Sequence, residues 1–265
     1  MTIHQIRNAT IIIESEDNFI LVDPLLGKSK TFVPLTLFRF KPRRNPLVDL
    51  PIESEKLLQK IDYCLITHLH PDHIDAVGIE FLRSRKIPVI CGENHVQQLK
   101  KWGLNVLKAI DYWKTISFLK GKLTATPAVH GYGWVRKPMG HVYGFVWQTS
   151  ADESVYISAD TIYTDDVKKV LATYKPDVSV LACGSAQFDF GRPLLMTIDD
   201  IVKFIRDTPG KVLANHMEAI NHCPTTRLEL KQRLEKEGLL YKTFIPADGE
   251  RIEVVKPLYE SKIKF

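Results

Sequence analysis

Short runs of alternating apolar and polar residues open the chain at 3–7, 9–14 and 18–22, separated by polar turns such as Glu16-Asp17-Asn18. This period-two pattern predicts a three-strand meander at the start of a sheet. Asp23-Pro24 closes the third strand, because proline has no N–H to give to the ladder. Asp23 is left at a strand end, where a carboxylate serves either the turn itself or the orientation of a ligand histidine. The pattern then dissolves over residues 24–52, which carry Pro24, Pro34, Pro42, Pro46 and Pro51. Six basic residues, Lys28, Lys30, Arg39, Lys41, Arg43 and Arg44, are interleaved there with Phe32, Leu35, Leu37, Phe38 and Phe40. A loop this long is functional or disordered as a rule, and the aromatics argue for order. It reads as a solvated basic face, a lid over an anionic substrate, or a homo-oligomer contact.

From residue 53 the period alternates between helix and strand. A short helix over 53–60 leads to the buried strand Tyr63-Cys64-Leu65-Ile66. Residues 74–85 place Ile74, Val77, Phe81 and Leu82 along one helical side, with Asp72 as the expected cap. A strand at 88–91 and a helix over 93–102 follow, the helix stopped by Gly103. Strands are expected at 104–108, 115–119 and 122–127, and a hairpin at 141–148 and 154–158. Thr164 caps a helix to residue 174, with Asp165 and Asp166 in its favourable first turn. A strand at 177–182 runs into a glycine-containing loop over 183–196. The helix 197–206 shows a capping-box pattern from Thr197 to Asp200. The strand 211–214 is followed by the helix 227–237, with a second such box from Thr226 to Glu229 and Gly238 as its stop. Final strands at 240–245 and 251–255 are expected to pair across Asp248-Gly249. Strands first, then β-α-β units, indicate an α/β (α+β) protein with helices over packed sheets.

Composition narrows the function classes. The 265 residues are 45% hydrophobic and 25% charged, enough for one domain over 1–265 with a sizeable core. The net charge of +5 suits anionic small ligands and falls far short of a nucleic-acid-binding signature. No apolar run approaches the ~20 residues of a membrane span. The first residues lack the layout of a signal peptide. Cys64, Cys91, Cys183 and Cys223 are far apart and form no C-x-x-C pair, which points to a reduced, cytoplasmic protein.

The chemistry concentrates in Leu65-Ile-Thr-His-Leu-His-Pro-Asp-His-Ile-Asp75, between a strand and a helix. In an extended loop, residues two apart point the same way, so His68 and His70 can face one point. Asp72 and His73 belong to the next turn and face a second point nearby. Neutral imidazole suits zinc, iron and manganese, and a carboxylate completes such a site. Half-sites this close suit a two-metal centre with ions ~3.5–4 Å apart.

Thr67-His68-Leu69-His70-Pro71-Asp72-His73 closely resembles the signature of the metallo-β-lactamase superfamily. The resemblance requires a third histidine, a bridging aspartate and a last histidine, each at a strand end and in that order. His130, past the strand 122–127, takes the first place. Asp160 in Ala159-Asp160-Thr161 takes the second, with Ala159 where the family usually has glycine. His216 in Asn215-His216-Met217-Glu218 takes the third, in preference to His222. The resemblance therefore implies His68, His70 and His130 on one metal, Asp72, His73 and His216 on the other, and Asp160 between them. It also implies an αββα sandwich of two mixed β-sheets flanked by helices. Size, Asp23-Pro24 and the Asn-His-Met-Glu segment are most similar to the ascorbate-6-phosphate lactonase-like branch.

The implied activity is hydrolysis of an ester, lactone or phosphoester bond in a small, anionic substrate. Two divalent metal ions, zinc foremost and manganese or iron as alternatives, would hold a water that loses a proton near neutral pH and attacks. Asp72 and Asp160 are the catalytic carboxylates on this reading. Tyr132, Trp134, Arg192 and His222 are the expected substrate contacts. Cys183 stands at a strand end, but no histidine is placed by sequence to activate it. The competing readings are a metal-dependent nuclease or phosphodiesterase, which needs a basic track, and a non-catalytic metal-binding module on the same fold.

Overall fold

The computed structural model describes residues 1–254. The opening meander is present: β1 (Thr2–Arg7), β2 (Thr10–Ser15) and β3 (Asn18–Val22) pair antiparallel. After the irregular segment come α1 (Ser54–Leu58), β4 (Tyr63–Ile66), α2 (Ala76–Ser84), β5 (Val89–Gly92), α3 (Val96–Lys101) and β6 (Val106–Ile110). The second half holds β7 (Thr115–Phe118), β8 (Gly121–Ala128), β9 (Val142–Gln148), β10 (Ser154–Ile157), α4 (Asp165–Tyr174), β11 (Val178–Ala182), α5 (Ile198–Asp207), β12 (Lys211–Asn215), α6 (Arg227–Lys236), β13 (Thr243–Phe244) and β14 (Arg251–Glu253).

These strands form two mixed seven-stranded sheets, in the orders β14-β1-β2-β3-β4-β5-β6 and β13-β12-β11-β10-β9-β8-β7. Side-chain alternation explains the layering. In β2, Ile11 and Ile13 pack against Phe145, Trp147, Ile157 and Val180 of the other sheet. Ile12, pointing the opposite way, joins Ile66, Leu82 and Leu99 under the helices of the first half. The outer face of the second sheet is covered by α4, α5 and α6 through Val170, Phe204 and Leu230. Two sheets buried on both faces make the αββα sandwich.

Three local expectations need correction. The strands 240–245 and 251–255 do not form a hairpin. β13 joins β12 in one sheet and β14 joins β1 in the other, because each satisfies the open edge of its own sheet. Residue 255 of that expected strand lies outside the described residues. Asp72 does not cap α2. The N–H groups of His73 and Ile74 both bond to the His70 carbonyl, each at 3.0 Å, which keeps the chain out of α2 until Asp75. Asp75 is the cap, accepting from Gly78 N at 2.7 Å. Val77 is exposed, while Gly78 and Leu82 face inward. A Cβ on Gly78 would sit 1.9 Å from the Pro24 carbonyl oxygen, so glycine permits this close approach.

The segment 24–52 is held by specific bonds. Buried Arg7 donates to the carbonyls of Leu25, Gly27 and Val48 at 2.7–2.9 Å. Asn221 accepts from Leu35 N at 2.9 Å and donates to Thr36 O at 3.0 Å. Asp189 receives the backbone N–H groups of Leu37, Phe38 and Arg39 at 2.8–2.9 Å. Among the described residues, no helix is long and apolar enough to cross a membrane.

Candidate metal centre

Four strand ends from two sheets converge on one point. His68 follows β4 in the first sheet, whereas His130, Asp160 and His216 follow β8, β10 and β12 in the second. The bond from Tyr143 N to the Thr67 carbonyl, 3.1 Å, joins the exit of β4 to β9 and locks the sheets together there. Two groups of side chains result. His68, His70 and His130 offer nitrogens within 4.8 Å of one another, and so do the ligand atoms of Asp72, His73, Asp160 and His216. All are buried except His70, which is half-buried and marks the accessible side.

Asp160 lies between the groups. One oxygen, Oδ2, is 3.3 Å from His130 Nε2. The other, Oδ1, is 3.2 Å from His73 Nε2 and 3.6 Å from His216 Nε2. His216 Nε2 is also 3.5 Å from Asp72 Oδ2 and 3.1 Å from His73 Nε2. Two protonated nitrogens cannot share that 3.1 Å gap, so one ring must present a lone pair to it.

Each ring is turned by a bond on its remote nitrogen. His73 Nδ1 donates to Asp23 Oδ2 at 2.8 Å, and His130 Nδ1 donates to the Leu194 carbonyl at 3.0 Å. The Thr67 hydroxyl gives its single proton to Asp23 at 2.6 Å, so at 3.0 Å it accepts from His68 Nδ1. In all three, Nε2 is the nitrogen aimed at the centre. Asp23, at a strand end with φ +48, therefore orients His73 and does not merely close a turn. The third grouping that geometry allows, Asp23 with His68 and His73, is this orienting layer.

The buried donor set fits a cation. His68 Nε2 and Asp160 Oδ1 are buried without a satisfied hydrogen bond, and His73 Nε2 approaches the latter at 3.2 Å. Orphaned polar atoms are costly unless something else meets them. Nitrogen and carboxylate oxygen donors suit zinc, manganese or iron.

The two groups differ electrostatically. Burial, reinforced by neighbouring imidazoles, holds His68 well below the ordinary histidine value. Burial lowers His70 and brings His130 to about 4, although Asp160 opposes it. In the other group burial also disfavours charge, but Asp160 and Asp23 outweigh it and raise His73 to about 10. His216 is raised well above its usual value, with Asp160 again overcoming burial. Against the same burial, bonding to His216 and the nearby imidazoles hold Asp72 well below the carboxylate range, and the charges of His216 and His73 do so for Asp160.

Several supporting residues carry no sequence signal by themselves. Asn8, in the β1–β2 turn, donates to the Asp72 carbonyl at 2.9 Å, and its own carbonyl accepts from His216 N at 3.0 Å. Cys223 Sγ lies 3.5 Å from His216 Nδ1 and 4.0 Å from His222 Nδ1. Burial raises the thiol, yet His222 and His216 outweigh it and bring Cys223 to about 7. Only the partner's position identifies such residues, and the order of the chain does not supply it.

The four expected substrate contacts have different surroundings. His222 is buried, stacked on Phe188 with centroids 6.0 Å apart. Tyr132 hydrogen-bonds Asp200 through its hydroxyl, in place of the second bond of the capping box expected at Thr197. The Arg192 guanidinium lies over the Tyr132 ring at 5.3 Å. Trp134 is 64% exposed. Two of the basic-loop arginines brace main chain or neighbouring loops. Arg44 donates to the Lys30 and Thr31 carbonyls, and Arg39 donates to Gln187 Oε1 at 2.7 Å.

Comparison with known proteins agrees with this geometry. Residues 18–217 match the model of the beta-lactamase superfamily domain. The UPF0173 protein YddR of Bacillus subtilis is 31% identical over 254 residues, covering 94% of this chain and 98% of the relative. Isothiocyanate hydrolase from Delia radicum gut bacteria superposes with a TM-score of 0.86 at 27% identity, over 96% of this chain and 99% of its own. A possible metal-dependent hydrolase from Veillonella parvula gives 0.85 at 25% identity, over 95% and 98%.

Proposed function

We propose, from the premise that this chain belongs to the beta-lactamase superfamily domain family and is a metal-dependent hydrolase, that it uses two divalent ions to hydrolyse an ester, lactone or phosphoester bond in a small anionic substrate. The observation that carries the two-ion reading is Asp160, whose two oxygens face different groups of histidines. His68, His70 and His130 would hold one ion; Asp72, His73 and His216 the other; Asp160 both. Zinc is the first candidate, and manganese or iron suits the same donors. Such ions supply Lewis acidity for a carbonyl or phosphoryl oxygen and a means of ionising water near neutral pH.

The chain's own part is orientation and exclusion. Asp23, Thr67 and the Leu194 carbonyl keep three imidazoles in the tautomer that bares Nε2. Burial of all but His70 confines access to one side. We take Tyr132, Trp134, Arg192 and His222 as substrate-facing. With Arg39 and Arg44 committed to bracing, Arg192 and Arg43 are the arginines left for a remote phosphate or carboxylate, which an arginine grips bidentately.

A second reading has its own support. The similarity to an isothiocyanate hydrolase covers 96% of the chain. Exposed Phe38, Trp134 and Phe190 lie on the loops around Asp189 and Gly191 and would suit an uncharged apolar substrate. Turnover of metal-loaded protein on phosphorylated and carboxylated lactones and esters, their uncharged analogues and an aryl isothiocyanate separates the two. On the first reading, Arg192→Ala lowers turnover of the anionic substrates ~10-fold, about 1.4 kcal/mol, and leaves the uncharged ones unchanged. Equal turnover of charged and uncharged analogues, indifferent to Arg192→Ala, removes the anionic reading. Isothiocyanate turnover alone establishes the second.

A further inference from the structure

We infer that Cys223 is the positioning residue for His216: its sulfur accepts the Nδ1 proton of that ring and so aims Nε2 into the group formed with Asp72, His73 and Asp160. The inference rests on the two-ion reading and deepens it. His68, His73 and His130 each have Nδ1 held by an oxygen, from Thr67, Asp23 and Leu194. His216 obeys the same rule with a different atom, Cys223 Sγ at 3.5 Å. His222 Nδ1, at 4.0 Å, is the weaker partner of the two.

The surroundings are built to keep the sulfur there. The His216 backbone is pinned separately, in the left-handed region at φ +57, with its N–H on the Asn8 carbonyl. That bond settles where the ring starts and leaves its rotation to whatever meets Nδ1. Residues 220–225 are tied down by Cys223 N to Ile220 O at 3.2 Å and by Thr225 N to Gly184 O at 3.2 Å. A Cβ on Gly184 would come within 3.0 Å of Cys223 Sγ and 2.1 Å of the His216 carbonyl oxygen. Glycine at 184 therefore leaves the room in which thiol and ring meet.

Sulfur in this role has a consequence that oxygen would not. Cys223 also lines a cavity of about 400 Å³ together with Arg43, Glu218 and Asn221. None of the centre's histidines lines that cavity, so it is the side from which a small thiol reagent would approach. Orientation of His216, and with it retention of the second ion, thus becomes sensitive to the state of one thiol, while the His68, His70 and His130 group does not.

The test compares wild type with Cys223→Ala and Cys223→Ser. Zinc content and affinity are measured at both sites, and histidine ring signals by ¹⁵N NMR. Losing an outer partner of a ligand histidine costs ~10–100-fold in metal affinity. Cys223→Ala should lose that much at the second ion only, shift the His216 Nδ1–H resonance, and keep the first ion. Cys223→Ser should recover part of the loss. Uniform weakening of both ions, or unchanged affinity with an unchanged His216 signal, overturns the inference. If Cys223→Ala fails to fold, wild type labelled with methyl methanethiosulfonate decides: selective release of one ion, reversed by dithiothreitol, supports the role, and retention of both refutes it. A wild type that binds one ion refutes the two-ion reading instead, and the ring resonance alone then judges Cys223.

Discussion

The two halves of the centre are built from similar residues, and their surroundings shift the histidines in opposite directions. His68, His70 and His130 have no carboxylate among them, and burial keeps their rings neutral. Asp72, His73, Asp160 and His216 include two carboxylates, which favour a proton on the rings beside them, one proton at a time between the facing Nε2 atoms of His73 and His216. The first group presents bare lone pairs, His68 Nε2 being buried and unpartnered. The second is already partly satisfied by contacts among its own members. Ligand count alone would rank the second group as the stronger site. Proton competition argues the reverse near neutral pH, because each proton on a ligand must leave before a cation can bind.

The largest test of this contrast is Asp160, whose two oxygens face the two groups. Asp160→Ala should empty both positions and reduce turnover ~10⁴-fold, about 5 kcal/mol of transition-state stabilisation. Metal analysis alongside kinetics checks it, and retention of both ions with full activity would exclude Asp160 as the shared ligand. One step smaller is His216→Ala, expected to release one ion, keep the other and lower turnover ~10²-fold. His68→Ala should spare the ion that His216→Ala loses. If either variant empties both positions equally, the halves are not separate sites.

Acidity should separate the halves without mutation. His73 is raised to about 10, so below that pH its proton competes with the cation, and the competition grows about tenfold per pH unit. His130 is lowered to about 4, so no such competition arises in its group until far more acid conditions. Between pH 8 and 6 the second ion should weaken by ~100-fold per displaced proton while the first holds steady. Zinc titrations at these pH values read this directly, and parallel weakening of both ions would contradict it. The smallest expected effect is at Ala159, which sits at φ +56 just before Asp160. A non-glycine residue in that region costs ~1–2 kcal/mol, offset by ~0.8 kcal/mol for burying its methyl group. Ala159→Gly should raise stability by under about 1 kcal/mol in denaturant melts and leave both ions bound. Loss of either ion would show that the methyl group positions Asp160.

The Ala159 case shows how a sequence can be half-legible. Its neighbour Asp160 is readable from the family resemblance at a strand end, whereas the positive φ that favours glycine at 159 is visible only in the fold. The caps behave likewise. Thr226 and Glu229 close their box as expected, because both partners lie within one turn. Asp72 was displaced from the cap of α2 by Asp75, because a turn held on the His70 carbonyl delays the helix. The strands near residues 243 and 252 are legible as strands, but their membership of different sheets is not. Pairing across a short turn is the local default, and competition between two distant sheet edges has no trace in the turn itself.

The sequence by itself determined the alternation of strands and helices, the H-x-H-x-D-H loop, and the later strand ends at which His130, Asp160 and His216 stand. These depend on periods of two and 3.6 residues and on short spacings, which the backbone enforces locally. The tertiary structure decided which atoms meet: Asp160 dividing its oxygens between two groups, Asn8 holding Asp72 and His216, Arg44 serving as a brace, and Cys223 facing His216. It also decided that chemically similar histidines carry opposite pKa shifts. The reason is physical. Burial and contact come from segments as far apart as residues 8 and 216, and the packing of two sheets, not the order of residues along either, sets the distances and dielectric between them.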